Sequence, residues 1–368
     1  MKFVCSQSVL AKAVNTVSKA VSIKTTMPVL KGILIKVENQ VMTLTSSNLD
    51  LSLETTIDIQ SSENGSVVVN AKLFGDIIKK LPNALVKAET DNNGNLNISC
   101  LGSEFSLITL SAEEFPAIGI VEKIESLSIS REAFAGLIDK TSFAASIDEK
   151  KGILVGCLVK FSKDNIEMAA LDGFRLSVAK ETIINDKEKE IVIPAKSLFE
   201  VSKILSESVC DDINIVTDNK KAEIICDNTR IIARLLEGDF IKYNDIIPKT
   251  YKTKFIVNKE ELLSSIERAS LLAKEGKNNL IKFTVSGSSV VINSRSEEGN
   301  VNESVDAEIE GEDIVIGFNS KYITDALRTI KDEEICLEMT SAVSASLIKP
   351  SEGDSFTYLV LPVRINAY

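Results

Sequence analysis

The sequence predicts an α+β protein of three tandem pseudo-symmetric domains, each with two helices packed on antiparallel sheets. Two observations predict this fold class. Six amphipathic helical patterns recur at a regular spacing, and strand-like runs separated by polar turns follow each of them. Helices that are segregated from antiparallel strands define the α+β class. A solenoid is not indicated, because its repeats are about 20–50 residues long.

Each helix is predicted from apolar periodicity and from a start signal at its N-terminus. Leu73, Ile77 and Ile78 share one face of the second helix, and Pro194 suits the first position of the fourth. Asn258 with Glu261 has the spacing of a capping box at the fifth helix. The predicted helices span 6–22, 70–81, 130–146, 194–207, 258–275 and 319–331.

The helix starts reveal an internal repeat. Helices one, three and five begin at 6, 130 and 258, and helices two, four and six begin at 70, 194 and 319. The chain is therefore three units of roughly 124 residues, each split into two similar halves, and each unit is predicted to carry two antiparallel sheets. The predicted domains are 1–121, 122–250 and 251–368.

Composition excludes several classes of function. The 368 residues are 44% hydrophobic and 26% charged, which is ordinary globular composition. Histidine is absent and no C-x-x-C occurs, so the common zinc patterns and histidine-based triads are excluded, and we expect no metal and no cofactor. The cysteines interrupt strand-like runs and are expected to be small buried hydrophobes; they are Cys5, Cys100, Cys157, Cys210, Cys226 and Cys336.

No membrane partner is expected. No apolar stretch approaches the roughly 18–20 residues of a membrane span. The N-terminal run MKFVCSQSVLAKAV is interrupted by polar residues and makes a poor signal peptide. The sequence therefore predicts a cytoplasmic protein.

The charges are sorted unevenly along the chain. The net charge of −11 taken alone argues against nucleic acid. The six helical ranges nevertheless sum to +5, which leaves −16 for the rest, so a basic surface is expected wherever the helices gather. An ordinary solvated helix face explains the same lysines equally well. Without tryptophan or interleaved aromatic residues, phosphate contact is indicated rather than base stacking or sequence readout.

Six segments carry a family resemblance: MKFVCSQSVL (1–10), MPVLKGILIKV (27–37), KLPN (80–83), EFPAI (114–118), ALDGFRLSVAK (170–180) and YLVLPVRI (358–365). Together, and in this order, they resemble the bacterial DNA sliding clamp, the β subunit of DNA polymerase III, over the whole chain. The resemblance implies the DNA-clamp fold and a non-enzymatic processivity factor. It implies a ring-shaped homodimer whose helices line a hole for duplex DNA, bound without sequence specificity.

The resemblance also implies a groove that binds short linear peptides of the replicative DNA polymerase, the clamp loader, other DNA polymerases and repair proteins. Ile241, Asp245 and Asn278 differ from the best-known members, which have Pro, Arg or Phe there, so the outer part of the groove is expected to differ in peptide preference. The matching groove positions are Leu154, Leu171, Gly173, Phe174, Arg175, Leu176, Ile241, Ile246, Asn319, Tyr322, Val343, Val360, Leu361, Pro362, Val363 and Arg364.

Two further surfaces follow from the resemblance. The first is the DNA-facing surface, with Lys24, Lys72 and Lys196. The second is the dimer interface, where Phe105 and Leu107 on an edge strand of one chain face Leu271 and Leu272 at a helix end of the other.

From the residues alone, the groove positions Leu171, Leu176 and Val360 are plain core strand residues, and that interpretation stays open.

Two other functions remain as alternatives. A carboxylate-dependent hydrolase would use Asp172 or the pair Asp211 and Asp212, but no histidine, phosphate loop or nucleophile elbow is present to complete such a site. A solitary binding module without DNA is the other alternative, and it would be monomeric.

Overall fold

The structure is a computed structural model that describes residues 1–22, 24–119, 121–122, 125–184, 188–276 and 278–365. The chain divides into two compact units: Met1–Ala135 with Ser197–Leu235, and Gly136–Lys196 with Leu236–Tyr368. Within the described ranges, none of the helices combines the length and the apolar character that crossing a membrane requires.

All six predicted helices are present, although several end earlier than predicted. The sixth, for example, ends four residues before the predicted position 331. The helices are α1 (Gln7–Ser18), α2 (Ala71–Lys80), α3 (Arg131–Thr141), α4 (Ala195–Glu207), α5 (Lys259–Ala273) and α6 (Ser320–Leu327).

The predicted start signals act as helix caps at two clear positions. The side chain of Asn70 accepts a hydrogen bond from the backbone N–H of Leu73 at 3.0 Å, and that of Asn258 accepts one from Glu261 at 3.1 Å. Each bond satisfies a backbone donor that has no partner within the helix. The prediction for Pro194 is wrong by one position, because it ends a strand and the helix begins at the next residue.

The predicted inward face of α2 is also wrong at one residue. Leu73 is 50% exposed, whereas Phe74 and Ile78 are fully buried. Adjacent residues on a helix point about 100° apart, so Leu73 and Phe74 cannot share the centre of one face. The larger aromatic side chain takes the core position.

The described residues contain twenty-six strands, all paired antiparallel. They are β1 (Lys2–Ser6), β2 (Gly32–Glu38), β3 (Val41–Ser47), β4 (Leu51–Asp58), β5 (Gln60–Glu63), β6 (Gly65–Asn70), β7 (Leu85–Thr90), β8 (Asn95–Cys100), β9 (Ser103–Ile108), β10 (Glu125–Ser130), β11 (Gly156–Phe161), β12 (Asn165–Leu171), β13 (Arg175–Thr182), β14 (Lys189–Pro194), β15 (Asp212–Thr217), β16 (Lys221–Cys226), β17 (Thr229–Arg234), β18 (Thr253–Asn258), β19 (Leu280–Ser286), β20 (Ser289–Ser296), β21 (Gly299–Asp306), β22 (Glu308–Gly311), β23 (Ile314–Asn319), β24 (Glu334–Met339), β25 (Ser346–Pro350) and β26 (Phe356–Val360).

Each unit contains two sheets. In the first unit the strand orders are β5-β1-β7-β8-β9 and β10-β15-β16-β17-β4-β3-β2-β6. In the second they are β14-β11-β12-β13-β26-β25-β24-β18-β22 and β21-β20-β19-β23. Helices α1 and α2 pack together, with α1 on β4, and helices α5 and α6 pack together, with α5 on β20 and β21.

The sheets of neighbouring repeats merge, so the predicted two sheets per repeat become four sheets in the described chain. In the first unit β4 pairs with β17, with Thr55 opposite Thr229. In the second unit β13 pairs with β26, with Ala179 opposite Phe356, each residue one repeat further along. An edge strand carries unpaired backbone groups, and this pairing satisfies them. The internal repeat is therefore visible in the strand pairing of the sheets as well as in the sequence.

Candidate peptide-binding site

Several predicted groove residues belong to an apolar cluster in the second unit. Leu171 and Leu176 face each other across the β12–β13 hairpin. Val360, on β26, pairs with Arg175, the residue before Leu176. All three leucine and valine side chains are buried, as core strand residues are, and Leu154 is half-buried at the cluster edge. The buried members are Leu158, Ala169, Leu171, Leu176, Val178, Val192, Tyr243, Leu347 and Leu359.

The hairpin turn is built to project one aromatic side chain. Gly173 has a φ of +94°, a conformation that favours glycine. One carboxylate oxygen of Asp172 accepts hydrogen bonds from the N–H groups of Phe174 at 2.8 Å and Arg175 at 3.1 Å. This turn leaves Phe174 54% exposed while Arg175 points inward.

Arg175 is the centre of a polar network. Its guanidinium lies 3.1 Å from Asp172 and 2.7 Å from Asp325, and it donates to the Phe143 carbonyl at 2.7 Å. It also lies 4.7 Å from the centre of the Tyr322 ring. Only 10% of the Arg175 side chain is exposed, so two carboxylates compensate a largely buried charge. Arg175 therefore ties the hairpin to α6.

Phe174 lies against Tyr322 at the rim of the cluster. The two rings stack at 6.3 Å with an interplanar angle of 22°. The ammonium of Lys151 lies 5.4 Å from the Phe174 ring and donates to the Asp172 carbonyl at 2.6 Å. Burial, and then the charge of Asp172, raises the pKa of Tyr322, so its hydroxyl remains protonated at neutral pH. The rim thus offers an aromatic surface with polar groups beside it.

The C-terminal segment links two sheets of the second unit. The N–H of Leu361 donates to the Phe174 carbonyl at 2.9 Å, and that of Val363 donates to the Gly317 carbonyl at 2.8 Å. A β-carbon on Gly317 would lie 2.6 Å from the Val363 oxygen, so only glycine allows this approach. Leu361 stays exposed, and Pro362 and Val363 are half-buried. The predicted groove residues of the C-terminal segment therefore lie beside Phe174.

The remaining predicted groove residues are less closely joined to this cluster. Ile241 and Ile246 are exposed on either side of the buried Tyr243. Val343 is exposed in a turn near the cluster, and the Asn319 side chain accepts from the Lys321 N–H as the cap of α6. Arg364, the last of the set, is exposed beyond Val363.

Three contact residues were missed from the sequence: Phe143, Lys151 and Asp325. Phe143 and Lys151 reach the network through contacts between distant segments, and no local pattern marks them. The sequence did carry a signal for Asp325, which lies three residues after Tyr322 and four after Lys321. The Lys321 ammonium donates a hydrogen bond to Asp325 at 2.6 Å. That spacing puts all three on one side of α6.

The three predicted DNA-facing lysines are exposed. Lys24 lies in a bend after α1, Lys72 lies in the first turn of α2, and Lys196 lies at the start of α4. Lys196 is 2.9 Å from Glu149, but both side chains are more than three-quarters exposed. Such a pair is weak, and it leaves the ammonium available to a phosphate.

The predicted dimer residues lie beside free sheet edges. Phe105 and Leu107 are on β9, the edge strand of the five-stranded sheet, where Phe105 is 40% exposed but Leu107 is buried. Leu271 is 66% exposed and Leu272 half-buried in the last turn of α5, which packs on the edge strand β21. Phe105 and Leu271 are therefore the accessible members.

Replacing Arg175 with alanine is expected to destabilise the protein. The change leaves the partly buried Asp172 without a cation and Asp325 with only the exposed Lys321 as its cation, which costs about 3 kcal/mol in free energy of unfolding. Urea unfolding followed by circular dichroism measures it. Arg364→Ala, which removes an exposed arginine, is the control and should change the value by less than about 0.5 kcal/mol. Equal stabilities of the two variants would contradict the role of Arg175 in the network.

The fold and the site define a class: a protein of repeated α+β units with an apolar and aromatic surface at the predicted peptide-binding positions. The carboxylate of Asp172, the candidate hydrolytic residue, is engaged by two backbone N–H groups and Arg175. Asp211 and Asp212 are exposed at the start of β15.

Comparison with known proteins identifies the family. Sequence profiles of the DNA polymerase III beta subunit match residues 1–119 (N-terminal domain), 128–242 (central domain) and 244–364 (C-terminal domain). The beta sliding clamp of Bacillus subtilis (strain 168) is 36% identical over 99% of this chain and 100% of its own, and that of Staphylococcus epidermidis is 34% identical over 99% of both.

Solved structures agree with the sequence comparison. The DNA polymerase sliding clamp of Bacillus subtilis matches with a TM-score of 0.94 and 36% identity over 100% of both chains. The DNA polymerase III beta subunit of Thermotoga maritima matches with a TM-score of 0.94 and 28% identity over 99% of this chain and 100% of its own. The chain belongs to the DNA polymerase III beta subunit family, the bacterial sliding clamps. It is a processivity factor of replication and not an enzyme.

Proposed function

We propose that two copies of this chain close into a ring around duplex DNA, and that the groove of the second unit holds short linear peptides. The peptides belong to the replicative DNA polymerase, the clamp loader, other DNA polymerases and repair proteins. We expect the protein to work in the cytoplasm. The observation that carries the ring is the recurring strand register: within the described residues, two edge strands at matching repeat positions are each paired on one side only.

Those two strands are β9 in the first unit and β21 in the second. Strand β21 occupies in its repeat the position that β4 and β13 occupy in theirs. Strand β9 likewise corresponds to β17 and β26, which are the partners of β4 and β13. Advancing the register by one repeat puts Ser103 of one copy opposite Glu303 of the other, and Phe105 opposite Val301. The pairing satisfies the backbone groups of both edges and covers Phe105.

The edge of β21 is already ordered for such a contact. Arg268 on α5 donates to both carboxylate oxygens of Glu303, at 3.0 and 2.6 Å. The Arg268 guanidinium lowers the pKa of Glu303, so the carboxylate stays ionised and paired at neutral pH. A pairing of β9 with β21 would occur twice in a dimer, and the two interfaces would close the ring.

The ring predicts retention on DNA by topology. A closed ring needs only weak phosphate contacts, which allow it to slide. The protein, loaded by a clamp loader onto nicked circular DNA, should remain bound in high salt and should leave once the circle is cut. Equal retention on circular and linear DNA would contradict encirclement and would indicate ordinary affinity.

Lys72 and Lys196 are expected to contribute to the salt dependence of DNA binding. The slope of log affinity against log salt concentration is negative, and each lysine that neutralises a phosphate makes it steeper by about 0.9. In the homodimer, Lys72→Ala combined with Lys196→Ala removes four lysines, so the slope should become less steep by up to about 3.6. Fluorescence anisotropy with labelled duplex DNA measures it.

Lys36→Ala is the matched control, because Lys36 is an exposed lysine on β2 rather than on a helix and pairs with Glu38. Its slope should equal that of the unaltered protein. If the control lowered the slope as much as the double variant, the two helical lysines would have no special role toward DNA.

A further inference from the structure

Two cysteines of the first unit lie in contact. Cys210, in the loop between α4 and β15, and Cys226, at the end of β16, have sulfur atoms 2.7 Å apart, and both are free thiols. The separation is roughly 0.7 Å longer than a covalent S–S bond. Cys226 is buried, whereas Cys210 is only half-buried, which departs from the prediction that all six cysteines are buried.

The loop that carries Cys210 is held from both sides. Asp227 accepts hydrogen bonds from the N–H groups of Cys210 at 3.0 Å and Val209 at 3.1 Å, one on each carboxylate oxygen. Arg131, at the start of α3, donates to the Cys210 carbonyl at 2.7 Å. The two sulfur atoms are therefore held together by the backbone around them.

A metal site fits these residues less well. Two sulfur ligands of one zinc ion lie roughly 3.8 Å apart, given Zn–S bonds of about 2.3 Å at a tetrahedral angle. The observed separation is much shorter. The third candidate ligand, Asp227, already uses both carboxylate oxygens as hydrogen-bond acceptors.

The fold itself does not require two cysteines here. Strand pairing aligns the three repeats at these positions, since Ser6–Leu85, Ser130–Asp212 and Asn258–Glu334 are equivalent pairs. The residues corresponding to Cys210 and Cys226 in the other repeats are Asn83 with Cys100, and Asp332 with Pro350. The thiol pair is thus particular to the middle repeat.

We propose that Cys210 and Cys226 form a thiol–disulfide switch that exchanges with a small-molecule disulfide such as oxidised glutathione. The Cys210 thiolate attacks one sulfur of oxidised glutathione, which forms a mixed disulfide and releases one glutathione thiolate. The Cys226 thiolate then attacks the Cys210 sulfur, closes the protein disulfide and releases the second glutathione thiolate. The two thiol protons pass to these thiolates, so the protein dithiol is oxidised and one glutathione disulfide is reduced to two thiols.

The order of the steps follows from exposure. Cys210 is the accessible thiol, whereas burial raises the pKa of the Cys226 thiol, and a buried thiol is a poor first nucleophile. Closure joins the loop after α4 to the β16–β17 turn. Since Arg131 anchors the same loop, the bond restrains the start of α3 as well.

The test uses the reduced, full-length protein incubated with oxidised glutathione, followed by peptide mass spectrometry. We expect a cross-linked peptide containing residues 210 and 226, reversed by dithiothreitol. The oxidised form should unfold at a midpoint about 5 °C higher, because the bond restricts the unfolded chain. Cys226→Ser should stop at a glutathione adduct on Cys210 without the rise in midpoint.

Cys100→Ser is the matched control, because Cys100 has the position of Cys226 in the first repeat, and it should leave the cross-link unchanged. A wild-type protein that keeps both thiols free, or carries only the adduct, would overturn the proposal. Protection of both thiols by one equivalent of zinc would also overturn it in favour of a metal site. None of these outcomes depends on ring closure or peptide binding.

Discussion

Leu271→Lys is expected to turn the dimer into monomers. Leu271 is two-thirds exposed at the end of α5, beside the edge strand β21 that we propose pairs with β9 of the partner. In the proposed dimer Leu271 becomes buried, and losing a leucine that is buried at an interface costs about 1.5–3 kcal/mol of binding free energy. An unpaired ammonium in its place adds to that loss. The dimer has two such interfaces, so the dissociation constant should rise by about 10³-fold or more. Sedimentation velocity across a concentration series measures the change.

Leu85→Lys is the matched control, because Leu85 is similarly exposed, at 61%, but lies at the start of β7. It should remain dimeric. The strand register gives a sharper test, because Phe105→Glu and Val301→Lys should each weaken the dimer and together should restore part of it through a cross-strand ion pair. Unchanged dimer affinity in Leu271→Lys, with the fold intact, would contradict the proposed interface.

The helices were predictable because their signals are local. Apolar periodicity places each helix, and the caps at Asn70 and Asn258 mark two of the starts within one residue. The inward face of α2 was not predictable, because Leu73 and Phe74 are both apolar and the fit to the rest of the core decides between them. The merging of sheets between repeats was also missed, since strand partners far apart in sequence leave no periodic pattern.

The candidate site was predicted only through the resemblance, and its role in peptide binding stays a prediction. The residues alone do not separate Leu171 and Leu176 from ordinary core strands, and the structure buries both. The polar network around Arg175 depends on Asp325, 150 residues away along the chain, and on a carbonyl that any residue would supply. Such contacts follow from the packing of distant segments, so the sequence can suggest them only where helical spacing groups the partners.

Gly317→Val is expected to release the C-terminal segment and with it most of the peptide affinity. The new β-carbon would lie 2.6 Å from the Val363 carbonyl oxygen and 2.9 Å from the Ile365 side chain. A backbone oxygen cannot rotate away, so the segment must leave β23. We propose that Leu361 and Val363 form one wall of the groove, so the dissociation constant for a peptide with leucine and phenylalanine anchors should rise by about 10- to 100-fold. Fluorescence anisotropy measures it.

Because β23 is the edge strand of its sheet, losing the segment should leave the rest of the sheet folded. Gly102→Val is the control, since no atom beyond the adjacent residues lies within 4 Å of its added β-carbon, and it should bind peptide normally. Deleting residues 361–368 should produce the same loss as Gly317→Val, and the combined variant should lose no more, because both changes remove one wall. If the losses of peptide affinity were additive, Gly317→Val would act by a route other than the C-terminal segment. Normal peptide binding by the deletion variant would show that this segment is not part of the groove.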